Sequence, residues 1–277
     1  MTRLFGRQWY LSVGSLDLSE LDISFRVERS IRREPNTAEI RVWNLAPASR
    51  ATVEAGGIVA LRAGYEDPPR IFRGDTRAVW TAREGPDHIT TIQARDGGRA
   101  YAETRIARAY APGTPVTRIV RDVVSDMDIG EGNLGEFSSA FRLRNGTDAF
   151  GDGYVAQGPA RRVLNDLCRA AGLRWSVQNG ALQIMRQGVP LQSRSTVLAA
   201  DSGLIESPMW DERGIRSQGR RGTVTCKSLL QAGIDPGRKV YLESALITGD
   251  FEVRAQSIVG DTRANDWTST LTLRPVS

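Results

Sequence analysis

The chain has 277 residues, 40% of them hydrophobic and 25% charged, with a formal net charge of +5. That balance suits a folded protein with room for two or three domains and excludes a low-complexity chain. No apolar run approaches the ~18 residues of a membrane span. The opening Met1-Thr2-Arg3-Leu4-Phe5-Gly6-Arg7 lacks the apolar core of a secretory signal, so the expectation is synthesis in the cytoplasm with no membrane anchor.

In chain order, residues 9–45 predict a long β-hairpin or meander. Trp9, Leu11 and Val13 alternate with polar residues, as do Ile23, Phe25 and Val27, then Ala38, Ile40 and Val42. The polar tip, Glu28 to Asn36, carries Arg29, Arg32, Arg33, Glu34 and Pro35. It reads as a solvated turn, or as an arm that adds to a neighbouring subunit's sheet. Pro47 to Ala55 predicts a short helix that Gly56-Gly57 ends. A strand from Val59, one from Ile71 to Val79 and one from Asp87 to Ile92 follow, and Asp96-Gly97-Gly98 closes the segment.

The middle of the chain changes character. Thr114-Pro115 opens a helix with Val116, Ile119, Val120, Val123 and Val124 on one stripe. A glycine-rich loop follows, Asp128 to Asp152. Gly158-Pro159 opens a second helix striped with Val163, Leu164, Leu167 and Ala171, and Gly172 stops it. Leu173, Trp175 and Val177, then Asn179-Gly180, then Leu182 and Ile184 make a hairpin.

After a polar connector from Gly188 to Ser195, strands are expected at Thr196–Leu198 and from Ile205 to Met209. Residues 211–222 read as a solvated Arg/Gly loop, and Asp235-Pro236-Gly237-Arg238 is a turn. Alternating runs follow at Val240–Ser244, Leu246–Arg254 and Asp266–Leu273. These repeat the order seen at 59–92: a strand, a Gly-Asp step inside the next (Gly74-Asp75, Gly249-Asp250), and a third opening on Asp and an aromatic ring. An internal duplication is the reading.

Chemistry is sparse. His88 is the only histidine, which excludes sites needing two imidazoles, and its strand position suits a surface or interface role. No nucleophile elbow, phosphate loop or dinucleotide fingerprint occurs. Cys168, on the helix stripe, reads as a buried thiol, and Cys226 sits in a strand. The two form no disulfide framework or zinc pattern, so no catalytic, metal or cofactor residues are assigned. The one acidic cluster, Glu131, Glu136, Asp148 and Asp152, could cleave a glycosidic bond and gives the alternative of a wall-degrading or peptidoglycan-binding protein. Only Lys227 and Lys239 among the 37 basic residues are lysines. The arginines suit bidentate contacts at protein interfaces. They are scattered without interleaved aromatics, so direct nucleic-acid recognition is not expected.

Asn44-Leu45, Val59-x-Leu61-x-Ala63-Gly64-Tyr65 and Ile71-Phe72-x-Gly74 resemble the first barrel of tailed-phage baseplate hub proteins (tail-tip hub, late control protein D-like). Pro236-Gly237-Arg238-x-Val240, Gly249-x-Phe251-x-Val253, Gly260-Asp261-Thr262 and Asp266-Trp267 are similar to their closing barrel. Leu167-Cys168-x-x-x-Gly172-Leu173-x-Trp175 is similar to their intervening domain. The resemblance implies a mainly β fold with an α+β insert: two tube-type antiparallel β-barrel domains, 1–98 and 191–277, flanking a small α+β domain, 99–190. It also implies a non-enzymatic hub of a contractile tail, without cofactor or metal. The hub would be a homotrimer whose six similar barrels join a six-fold tube to a three-fold spike. Tail tube or tube-initiator proteins, the spike protein and other baseplate proteins are the implied partners. The virion tail baseplate, assembled in the host cytoplasm, is the implied location. A tube initiator or the hub half of a spike protein is the neighbouring alternative, and a basic DNA-binding protein comes last.

Overall fold

The computed structural model describes residues 5–143, 145–186, 188–216 and 222–276. The fold is mainly β, with large antiparallel sheets and a small helical insert. Two compact units divide it: Met1–Ile31, Asn36–Arg95 and Pro190–Ser277 form one, and Arg32–Pro35 with Asp96–Val189 the other. The two β-rich ends of the chain therefore share one unit. None of the described helices is long and apolar enough to cross a membrane.

The first stretch contributes β1 (Arg7–Val13), β2 (Leu16–Asp17), β3 (Ile23–Ser30), β4 (Thr37–Trp43), α1 (Pro47–Glu54), β5 (Ile58–Tyr65), β6 (Arg70–Glu84) and β7 (Asp87–Arg95). Period-2 alternation turns Ile23, Phe25 and Val27 of β3 inward, with Ile40 and Val42 of β4 and Leu61 of β5. Pro47 starts α1, its fixed φ suiting the first helical turn, and Gly56 at φ 85° lets the chain leave it.

The insert contains α2 (Gly98–Glu103), β8 (Arg105–Tyr110), α3 (Val116–Asp126), β9 (Tyr154–Pro159), α4 (Ala160–Ala170), β10 (Leu173–Gln178) and β11 (Ala181–Arg186). The valine stripe of α3 and the Val163/Leu164/Leu167 stripe of α4 are buried in one core with Trp175. At about 1.5–3 kcal/mol for each large apolar side chain removed from water, those stripes hold the insert together. Asn179 and Gly180 both take positive φ at the tip of the β10–β11 hairpin, as a type I′ turn requires. Asp96, expected to close the first segment, is buried in this unit instead. Its carboxylate accepts the Asn179 and Gly180 N–H groups at 2.6 and 2.7 Å. The β8–β9 pair and α2 were not anticipated, because their runs are short and weakly alternating.

The last stretch adds β12 (Leu191–Leu198), β13 (Met209–Trp210), α5 (Glu212–Arg216), β14 (Val224–Leu229), β15 (Arg238–Glu243), β16 (Thr248–Asp261) and β17 (Trp267–Pro275). Three expectations change here. The supposed connector becomes part of β12 from Leu191. The strand expected from Ile205 to Met209 shrinks to Met209–Trp210, with Pro208, which has no N–H for a ladder, just before it. The expected 211–222 loop contains α5, and its residues 217–221 lie outside the described residues.

Strands of both stretches join one 13-stranded sheet in the order β13-β14-β17-β16-β3-β4-β7-β6-β5-β1-β2, with β15 on β16 and β12 parallel to β15. The sheet curls round two cores. The first collects inward residues of β1 and β3 to β7, and the second those of β12 and β14 to β17.

Candidate assembly interface

The duplication is visible in strand register. β5-β6-β7 and β15-β16-β17 are both antiparallel meanders with one long central strand. Each central strand has a β-bulge against the third strand: between Thr76 and Ala78 with Arg77 as the extra residue, and between Val253 and Ala255 with Arg254. β4 lies beyond β7 and β14 beyond β17, with β3 and β13 outside them. Counted from the bulges, Gly74 lies two residues before Thr76, whereas Gly249 lies four before Val253. The matched Gly-Asp steps are thus two residues out of step, a slip that preserves which face each side chain takes.

The two copies meet where β3 pairs antiparallel with the second half of β16, from Ala255↔Ser30 to Asp261↔Ser24. Trp267 of the second copy is buried in the first core, with Phe25 edge-on at 5.5 Å and Trp9 at 6.4 Å. Arg7 donates to the carbonyls of Ala264 and Asn265 at 2.8 and 3.0 Å, so β1 reaches the turn that opens β17.

Charges are buried along this seam. The Arg29 side chain, 2% exposed, pairs with Asp235, which also holds Arg238 at 3.2 Å. The nearly inaccessible Glu252 carboxylate pairs with Arg254 at 3.2 Å. The Asp235-Pro236-Gly237-Arg238 turn, closed by the Arg238 N–H on the Asp235 carbonyl, presents the acid to Arg29. Arg29, expected in a solvated or projecting tip, is thus buried inside its own chain. Ion pairs this shielded are costly to break, since the survivor is left charged and dry.

At the other end of the seam, Arg263 donates to Asp87 at 3.1 Å and stacks over Trp43 at 5.5 Å. Asn44 donates to the other Asp87 oxygen at 2.8 Å and accepts the His88 N–H. Hydrogen bonds from Asn44 and then Arg263 hold the Asp87 carboxyl below the usual carboxylate range. His88, on the surface, belongs to this junction through its backbone.

The acidic quartet forms no enclosed site. Glu131, Glu136, Asp148 and Asp152 are all exposed, Glu131 is paired with Arg121 at 3.1 Å, and the Asp148 carbonyl accepts the Val116 N–H at the start of α3. Among the described residues, no group of three His, Cys, Asp or Glu is placed to hold a metal ion. Cys168 and Cys226 are buried free thiols, each pushed up to about 12 by desolvation.

The fold of this chain is shared with solved tail proteins. Similar solved structures include the tail protein of Neisseria meningitidis MC58 (TM-score 0.66, 9% identity, covering 97% of this chain and 96% of that one). The 43 kDa tail protein of prophage MuSo2 from Shewanella oneidensis is alike to the same degree (TM-score 0.66, 9% identity, 98% of each chain). The E. coli c3393 protein, a component of the type VI secretion system with structural similarity to the T4 bacteriophage tail proteins gp27 and gp5, also shares the fold. Its TM-score is 0.58 at 12% identity, over 96% of this chain and 77% of that one. No protein-family model and no curated protein matches the sequence.

Proposed function

We propose that this chain is the structural hub of a contractile tail baseplate. Three copies form a ring in which each contributes two tube-type barrels, one from 1–98 and one from 191–277, with 99–190 as the insert between them. Six similar barrels then face a six-fold tail tube or tube initiator, and the three-fold symmetry matches the spike on the opposite side. The virion tail is its place of work, and mechanical coupling is its mechanism.

The observation that carries this reading is the paired bulge, Arg77 in one copy and Arg254 in the other, inside one continuous sheet. A bulge at matched register re-aims both meanders alike, so one chain presents the same surface twice. Native mass spectrometry tests the stoichiometry. A species of three chains of 30.4 kDa each is expected, and a monomer at assembly concentrations, alone and with its tube protein, contradicts it.

A further inference from the structure

The seam inside one chain is a template for the seam between chains. One edge of β16 is used along its whole length: residues 248–252 pair with β15, and residues 255–261 pair with β3. The same edge of β6 is used only in its first half. β5 covers Arg70 to Asp75, the Thr76 N–H reaches the Gly57 carbonyl at 2.9 Å, and no described strand pairs with that edge from Arg77 to Glu84. The strand equivalent to β3 in the second copy is β13, and among the described residues its outer edge pairs with nothing. Each chain thus has one half of the seam left over at each end.

We infer that the Arg77–Glu84 edge of β6 pairs antiparallel with β13 of a second copy of this chain, repeating the β16–β3 seam. This deepens the hub reading and rests on it. The register follows from superposing the bulges and the ladders. Ala78 stands where Ala255 does, and Met209, opposite Thr225 on β14, stands where Arg26 does opposite Glu39 on β4. The intrachain pairs Ile258↔Val27 and Val259↔Arg26 therefore map onto Thr81↔Trp210 and Ala82↔Met209 between chains.

Side chains agree with that register. Ile258 and Val27 are buried in the first core; half-buried Trp210 packs on the second core and half-buried Thr81 bonds the buried Thr90 hydroxyl, whereas Met209 and Ala82 are exposed. Trp80 is 44% exposed and Met209 69%. In this register they are diagonal neighbours across the new pair, within reach of one another. The Asp211 N–H already bonds the carbonyl of Thr223, the residue just before β14, so alternation directs the Trp210 backbone groups to the free side. The contact is head-to-tail, joining different surfaces of the two copies, and it makes a ring when its rotation closes.

Disulfide trapping tests it. Ala82→Cys and Met209→Cys are placed together in the full chain and oxidised, and each is also made singly and the two mixed. The native thiols are buried, which keeps their background low. The double variant is expected to give a covalent ladder ending at three chains, and the mixture only dimers. Thr81→Cys with Met209→Cys, on opposite faces, is expected to stay uncoupled. A trimer by mass without this cross-link overturns the edge pairing and leaves the hub reading standing. A ladder running past three chains upholds the pairing and overturns the three-fold ring. Absence of both trimer and cross-link overturns the inference.

Discussion

The ring of Phe25 lies over Gly260, its cross-strand partner in the seam, so closely that a Cβ on that glycine would overlap ring atoms. The same ring meets Trp267 edge-on at 5.5 Å. Gly260 is therefore required by its neighbour and not by its backbone angles. Replacing it with alanine forces Phe25 off Trp267 or parts the strands. Gly260→Ala is expected to destabilise the β unit by about 1–3 kcal/mol, the usual cost of overpacking. Urea unfolding followed by tryptophan fluorescence measures this, and an unchanged midpoint would remove the seam from the account.

Arg29 lies in β3 and Asp235 in the turn before β15, in different copies, and Arg29 is almost wholly inaccessible. Asp235→Asn leaves the buried Arg29 guanidinium without its counter-charge. A loss of about 3 kcal/mol is expected, within the range for breaking a buried pair. Arg29→Ala removes that buried charge and leaves a partly exposed Asp235 still paired with Arg238, and is expected to cost less. Chemical denaturation of the two variants checks the order.

The first core needs residues from both ends of the chain. Leu230, Ile258 and Trp267 pack into it, whereas the insert core is built from residues between Tyr101 and Ile184. A fragment spanning 96–189, which keeps Asp96 on its hairpin, is expected to fold alone with dispersed amide spectra. A fragment spanning 1–98 is expected to remain unfolded or aggregate through its uncovered β3 edge. Circular dichroism and proton NMR of both fragments decide.

The Asn44, Arg263 and Asp87 junction carries a pH dependence. The folded-state value of Asp87 is lowered, so its contribution is present above the ordinary carboxylate value and is lost as pH falls through the folded value. The carboxyl is solvent-facing, so the effect on stability is small and screened by salt. Carbon-detected NMR titration of Asp87 is expected to show the low value, with Asn44→Ala or Arg263→Gln each moving it upward.

The sequence showed what depends on local pattern. The α3 and α4 stripes, the Asn179-Gly180 turn, the α1 limits and the two three-strand meanders all follow from periodicity and turn residues that act within a few positions. It did not show what depends on pairing at a distance. Nothing local tells that Arg29 finds Asp235 some 200 residues on, or that Trp267 completes the core begun by Leu11. The slip between Gly74 and Gly249 has the same origin: similar letters matched where ladders did not, and only the bulges at Arg77 and Arg254 give the true register. The one available clue to the seam was Gly260 in a strand, a sign of close approach by another residue.

The most direct test of the account is the rotational symmetry of the assembled particle viewed end-on by electron microscopy. The account predicts a closed ring of six lobes of alternating kind, with strong six-fold power over a true three-fold axis. A ring of three or of unequal lobes, or a particle without rotational symmetry, would contradict it.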